Sequence, residues 1–183
     1  ARHGALERAT FRRAGDLAEG LDRYVRVEAA SWKGPRGEGT SLSCLPRERA
    51  FYRSLLAGFG RTGDARVDVL MLRDRAVAAL IALQTGGVWN VLKIGYDEAF
   101  ADVGPGNLLL KAFLEEMERA PGIQEVSLVT APPWAVRWHM SWEPTYQVKV
   151  FNTSLWGRML EARHAVRRAV AGPGDPATPA GVP

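Results

Sequence analysis

At 183 residues the chain has room for one ordinary domain and too little for two full catalytic lobes. With 46% hydrophobic and 24% charged residues its composition is globular, which excludes a fully disordered protein. Lys and Arg (24) outnumber Asp and Glu (20) by four, a mild excess that favours anionic contacts but lacks the dense basic stripe of a dedicated nucleic-acid binder.

Residues 1–15 form a basic segment expected to be flexible, and Asp16 followed by Glu19 has the spacing of a capping box opening a helix over about 17–32. The buried stripe of that helix is Leu17, Leu21, Tyr24, Val25, Glu28 and Trp32, so one acid sits among apolar neighbours. A loop rich in glycine, Gly34 to Gly39, precedes a second helix over about 46–59 with Phe51, Tyr52, Leu55, Leu56 and Phe59 inward. The period then becomes extended. Strands from Arg66 to Leu72, Ala76 to Gln84 and Val88 to Tyr96 are joined by turns at Asp74-Arg75 and Gly86-Gly87, an antiparallel meander. Gly104-Pro105-Gly106 opens a third helix over about 105–119, with Pro where a missing N–H costs nothing. Pro121-Gly122 stops it before a short strand over 125–130. An aromatic segment with Trp134, Trp138, His139 and Trp142, a strand over 145–151 and an Arg-rich helix over 154–169 complete a domain spanning 16–170. The Pro- and Gly-punctuated tail 171–183 is expected to be disordered.

The single cysteine, Cys44, excludes an internal disulfide and a cysteine-rich zinc site and points to a reducing, cytoplasmic compartment. His3, His139 and His164 fall in unrelated elements, so no metal site is expected. The longest apolar runs, such as Ala76 to Leu83, fall far short of the roughly 20 residues that span a bilayer. The chain opens on Ala1 and reads either as a processed product or as a piece cut from a longer chain, which could carry a preceding domain.

A strand that delivers a glycine turn into a helix N-terminus leaves N–H groups aimed outward at the positive end of the helix dipole, a setting suited to phosphate or pyrophosphate. Val103, Gly104, Gly106 and Asn107 would supply those groups, although glycine turns also start helices for plain geometric reasons. A nucleoside-triphosphate loop is excluded because Lys33-Gly34 reverses the required order, and a dinucleotide fold because the meander comes first.

Glu28-Ala29-Ala30-Ser31-Trp32-Lys33-Gly34, Phe51-Tyr52, Leu92-Lys93-Ile94-Gly95-Tyr96-Asp97-Glu98-Ala99-Phe100 and Gly104-Pro105-Gly106 with Leu108-Leu109-Leu110 together resemble the GNAT acetyltransferase family, in its cellulose-biosynthesis-associated branch (CelD/BcsL type). The resemblance covers about residues 16–168. It implies an α/β (α+β) fold with a central, mostly antiparallel twisted sheet flanked by helices. It also implies acyl transfer from acetyl-CoA or another acyl-CoA to an amine or hydroxyl of a small-molecule or saccharide acceptor. Pantetheine would lie between strands 88–96 and 125–130, along Ile94 and Gly95, with pyrophosphate at residues 103–107. The family's usual turn, Gln/Arg-x-x-Gly-x-Gly/Ala, would begin at Ala101, and here only Gly104 and Gly106 agree with it.

Such chemistry needs an acceptor deprotonated, a thioester carbonyl polarised and a thiolate protonated. A backbone N–H on strand 88–96 can polarise the carbonyl. Glu28 ranks first as base, because apolar surroundings disfavour a charged carboxylate; Asp97 and Glu98 follow, and Tyr96 of the same motif completes the catalytic set. The plainer readings are a helix acid for Glu28 and turn formation or pairing with Lys93 for Asp97. The tyrosine that many relatives use to protonate the thiolate is absent from 131–142, where His139, or Tyr146 beyond it, could substitute. Trp32, Lys33, Trp134 and His139 are the acceptor-binding candidates. Two other readings stay open: a relative of the Fem-type aminoacyl transferases, marked by salt-sensitive aminoacyl-tRNA binding, and a non-catalytic module of a polysaccharide-synthesis assembly.

Overall fold

The computed structural model describes residues 6–130, 133–141 and 150–171. They fall into two units, Ala1–Thr130 and Ala131–Pro183, so the span 16–170 read as one domain extends across both.

In the first unit a five-stranded sheet has the order β1-β2-β3-β4-β5, built from β1 (Leu6–Phe11), β2 (Ala65–Leu72), β3 (Arg75–Thr85), β4 (Val88–Tyr96) and β5 (Glu125–Ser127). Neighbouring strands are antiparallel except β5, which runs parallel to β4. Helices α1 (Leu17–Ala29) and α2 (Pro46–Gly60) pack with one face of the sheet and α3 (Pro105–Arg119) with the other. Alternation in the sequence explains how both faces fill. Val67, Val69, Ala79 and Ile81 join Leu17, Leu21 and Tyr24 in one core, while Leu70, Ala78, Leu80 and Ala82 join Leu109 and Phe113 in the other. A fully buried aliphatic side chain here contributes about 1.5–3 kcal/mol, so β2 and β3, covered on both sides, anchor the unit.

Residues 6–11, expected to be flexible, are instead an edge strand paired with β2 from Leu6↔Leu72 to Phe11↔Val67. Arg8 and Arg12, two of the basic residues that suggested a solvated segment, are engaged. Arg8 donates to the Ala112 carbonyl at 2.9 Å and pairs with Glu116, and Phe11 is buried against Gly20, where a Cβ would lie only 2.9 Å from the Phe11 side chain. The capping box is not formed. Asp16 sits at the N-cap without a side-chain cap bond, and Glu19 pairs with Arg23 one turn on. Helix α1 stops at Ala29, with the Ser31 hydroxyl donating to the Glu28 carbonyl at 2.7 Å, three residues before the expected end. Phe51, expected inward on α2, is exposed. The turn between β2 and β3 falls at Arg73-Asp74, one residue early. Helix α3 matches its expected limits, whereas β5 covers only three residues. Val129, with φ of 63°, and a 2.6 Å bond from the Thr130 N–H to the Leu128 carbonyl turn the chain out of the strand.

One buried arginine holds a carboxylate on its own strand and another on α3, which fastens that helix to the sheet. Arg66 and Asp68, two apart on β2, point to the same face; both are fully buried and 2.9 Å apart. Arg66 also donates to both oxygens of Glu116 at 2.6 Å, and its guanidinium lies over the Phe113 ring. The Thr10 hydroxyl donates to Asp68 at 2.6 Å, which draws β1 into the same network.

The second unit contains a short helix, Pro133–Trp138, and α4 (Leu155–Ala171), which bears out the expected helix there. The expected strand over 145–151 lies mostly outside the described residues, as do Trp142, Tyr146 and residues 172–183.

Arg66→Leu should lower stability by about 3–5 kcal/mol, because Asp68 would keep a buried charge without its cation; a fall in the urea midpoint measures this. Hydrogen bonding from Arg66, opposed by burial and assisted by the charges of Arg66 and Arg8, holds the Glu116 carboxyl below its usual range. Its contribution to stability is therefore present above the unfolded carboxylate value of about 4.3 and is lost as pH falls through the lower folded value. Glu116→Gln should flatten that part of the acid-unfolding curve, read by circular dichroism.

Candidate functional site

Strand β4 carries a fault in its pairing that organises everything at its C-terminal half. Lys93 lies opposite Ile81, but the next pair is Val91 opposite Ala82, so Leu92 is an extra residue with no partner on β3. A bulge of this kind shifts the phase of a strand by one residue and leaves two successive side chains on one face. The packing shows that shift: Trp89 and Val91 before the bulge lie in the core beneath α3, and after it Ile94 and Tyr96 do, while Leu92 packs in the core beneath α1 and α2. Lys93 reaches the same side as Leu92, and Gly95 follows there, 3.8 Å from the Tyr24 hydroxyl at its absent Cβ. In an unbroken strand Val91 and Gly95 would share a face.

On its other side β4 meets β5 only at Val88↔Glu125, Trp89↔Val126 and Asn90↔Ser127. Beyond Asn90 β5 itself ends, at Ser127, and residues 91–96 have no strand partner on that edge among the described residues. Strand β4 runs on through Asp97 and a short helix, Glu98–Val103, to Gly104 and the start of α3.

At that turn Gly104 has φ of 58° and ψ of 49°, the left-handed region that a side chain disfavours. Of the four N–H groups expected to face a ligand, two are spent internally: Gly104 donates to the Ala101 carbonyl at 3.1 Å and Asn107 to the Gly104 carbonyl at 3.0 Å. The Gly106 N–H meets no backbone acceptor outside its helix and lies within the first turn of α3, where intrahelical acceptors are lacking. Gly106 also has a packing role, since a Cβ there would stand 3.2 Å from the Tyr96 ring. Ile94 packs in the α3-side core, opposite Leu80.

Glu28 lies in different surroundings from those expected. It is fully buried, yet its neighbours are donors: the Tyr24 hydroxyl at 3.0 Å and the Lys93 ammonium at 3.2 Å reach Oε1, and the Leu42 N–H reaches Oε2 at 2.7 Å. Burial first, then the Glu28 charge and hydrogen bond, push the Tyr24 phenol well above its usual range, so it remains a donor. Lys93 also lies over the Tyr52 ring, 5.4 Å from its centroid. Tyr52 is likewise pushed up, by burial and then by the charges of Glu28 and Glu48.

Asp97 is not paired with Lys93. Its Oδ1 accepts from the Ala99 N–H at 3.0 Å, capping the short helix, and its Oδ2 accepts from Arg75 at 2.5 and 3.1 Å. Glu98 is exposed, and its carboxylate accepts no hydrogen bond among the described residues. Its N–H donates to the Ala30 carbonyl at 3.3 Å, which joins the end of β4 to the loop carrying Trp32 and Lys33. Trp32 is half exposed, with the Lys33 ammonium 5.2 Å from its ring centroid. Gly34 and Gly37 turn that loop because a Cβ at either would fall about 2 Å from a backbone oxygen, of Ala29 and Trp32 respectively. Part of the Trp-Lys-Gly signature is thus a backbone requirement. Trp134 and His139 belong to the second unit; Trp134 lies in its short helix, and His139 follows with φ of 49°.

Sequence reasoning missed Lys93 as the partner of Glu28, the Leu42 N–H as its second donor, and Arg75 as the partner of Asp97. Only the lysine left a signal, a lone cation in an otherwise apolar strand.

A family model described as an acetyltransferase (GNAT) domain matches residues 1–134, and the chain belongs to that family. Curated proteins provide no match. Among solved structures the chain is similar to a possible acetyltransferase from Clostridium difficile 630, at 13% identity over 81% of this chain and 98% of that one, with a TM-score of 0.56. It is also similar to the PaiA N-acetyltransferase of Thermoplasma acidophilum in complex with coenzyme A, at 15% identity over 78% and 93%, with a TM-score of 0.55. A GCN5-related N-acetyltransferase from Ralstonia eutropha JMP134 shares 18% identity over 82% and 100%, with a TM-score of 0.52. The likeness is one of fold, and it bears out the α/β class with a mostly antiparallel sheet flanked by helices.

Asp97→Ala should cost about 1–2 kcal/mol, mostly the lost helix cap, because the partnering Arg75 is well exposed. Asp97→Asn, which can still accept from the Ala99 N–H, should lose less than half of that; thermal unfolding of the two variants measures the difference.

Proposed function

We propose that the chain is an acyl-CoA-dependent acyltransferase that carries an acetyl or longer acyl group to an amine or hydroxyl. The single observation that supports it most is the edge of β4 left without a strand partner beyond Asn90, where β5 ends, beside the bulge at Leu92. Backbone groups of residues 91–96 on that open edge suit the amides of pantetheine, and the Gly106 N–H at the start of α3 suits the pyrophosphate. The PaiA enzyme, whose structure is in complex with coenzyme A, lends the reading support by its fold.

In this reading an edge N–H of β4 polarises the thioester carbonyl. The acceptor nitrogen attacks the carbonyl carbon, its proton passes to a carboxylate, the carbon–sulfur bond breaks, and the thiolate takes a proton. Glu98 fits the base better than Glu28 or Asp97: its carboxylate is exposed at the end of β4, whereas theirs are buried and already hold two or three donors each. Tyr96, its ring against Gly106, is the group we assign to the thiolate. Trp32 and Lys33 stand on the loop joined to Glu98 and would meet the acceptor. The Trp-Lys-Gly, Lys-x-x-Tyr-Asp-Glu and Pro-Gly-x-Leu-Leu set supports the cellulose-biosynthesis-associated branch and an acceptor from polysaccharide or envelope metabolism.

Isothermal titration should show acetyl-CoA binding to the wild-type chain and none to Gly106→Glu, through both steric conflict with Tyr96 and repulsion of phosphate; absence of heat with acetyl-CoA and with longer acyl-CoAs overturns the assignment. Glu98→Gln should leave that affinity within about twofold and reduce thiol release with amine acceptors about 100-fold or more. A chain that binds acetyl-CoA but releases no thiol with any acceptor is a non-catalytic module.

A further inference from the structure

Glu28 and Lys93 add hydrogen bonds and charge to the apolar packing that joins α1, the 31–45 loop and β4. Oε2 of Glu28 holds the Leu42 N–H, and Leu42 closes the far end of the loop that begins with Trp32 and Lys33. Its Oε1 holds Lys93, whose backbone forms one half of the β4 bulge. Tyr24 braces the same oxygen from α1, and Tyr52 of α2 lies beneath the ammonium. One carboxylate therefore ties α1, the 31–45 loop and β4 together, with α2 against the cation.

We infer that Glu28 and Lys93 are a positioning pair that holds the loop bearing Trp32 and Lys33 in register with the β4 bulge, so that an acceptor meets the thioester carbonyl in line. This deepens the transferase reading and rests on it for its catalytic part. The geometry makes each partner necessary to the other. Glu28 is completely shielded from water and accepts three bonds, so removing the ammonium leaves an uncompensated charge in the core. Leu42 is then released first, because its N–H depends on that carboxylate while the β2–β3 ladder does not. A displaced acceptor loop lowers turnover without touching the edge of β4 that would hold the donor.

Two measurements on the full chain decide it. Hydrogen exchange should show the Leu42 amide exchanging about tenfold faster or more in Lys93→Met, with β2 and β3 amides unchanged and Lys93→Arg restoring protection. Should Lys93→Met fail to fold, the double variant Glu28→Gln/Lys93→Met, which carries no buried charge, takes its place. Wild-type protection at Leu42 in whichever variant folds overturns the pairing. In the second measurement, acetyl-CoA is consumed with hydroxylamine as acceptor. Lys93→Met should lower kcat about tenfold, with KM for acetyl-CoA within about twofold and kcat recovered in Lys93→Arg. Unchanged kcat in a variant whose loop has loosened overturns the catalytic part. Wild-type chain that neither binds nor consumes acetyl-CoA overturns the transferase reading instead, and the exchange result still judges the pair.

Discussion

The extra residue at Leu92 is the constraint from which the rest of the site follows. A sheet buried on both faces cannot tolerate a slip in register unless its side chains find new partners, since each face is already packed. Here the partners exist. The phase change sends Leu92 and Lys93 toward α1 and α2, where Leu92 finds an apolar core and Lys93 finds Glu28. It also turns Gly95 toward α1, where the position of its absent Cβ lies 3.8 Å from the Tyr24 hydroxyl. The bulge follows the end of β5 pairing, so the strand with an unpaired outer edge is the same strand whose inner face is pinned by an ion pair.

Much of the fold was legible because its signals were local. The alternation in β2 and β3, the double-glycine turn and the Gly104-Pro105-Gly106 start of α3 each depend on a few adjacent residues, and the structure reproduces them. The N-terminal strand was hidden for a physical reason: Leu6–Phe11 alternates Leu, Arg and Thr with Glu, Ala and Phe, and its polar members Arg8 and Thr10 look solvated until Glu116 and Asp68 arrive from α3 and β2. Asp16 and Glu19 had a capping pattern, yet Arg23 competes for the glutamate, an alternative that spacing alone does not rank.

The elements that frame the candidate site were legible, and the contacts of its side chains were less so. The glycine turn and the end of β4 were placed correctly, and the order of motifs carried the family. What sequence could not supply was the set of long-range donors around each acid. Glu28 looked isolated because Lys93 is 65 residues away and the Leu42 N–H leaves no mark in a sequence at all. Asp97 has both a cap and a cation for the same reason, with Arg75 lying 22 residues earlier. Both residues look catalytic in isolation and structural once their donors are counted, which shifts attention to the unengaged Glu98.

The placement of β1 has its own consequence for handling the protein. Its partner β2 is buried on both faces, with Val67, Val69, Leu70 and Leu72 in the core, and the ladder from Leu6 to Phe11 covers its backbone on that side. A chain trimmed to begin at Arg12 would present an unguarded hydrophobic ribbon, the template on which further strands stack into insoluble aggregates. Those six residues are therefore the sheet's hem, and any tag or cut is best kept upstream of them.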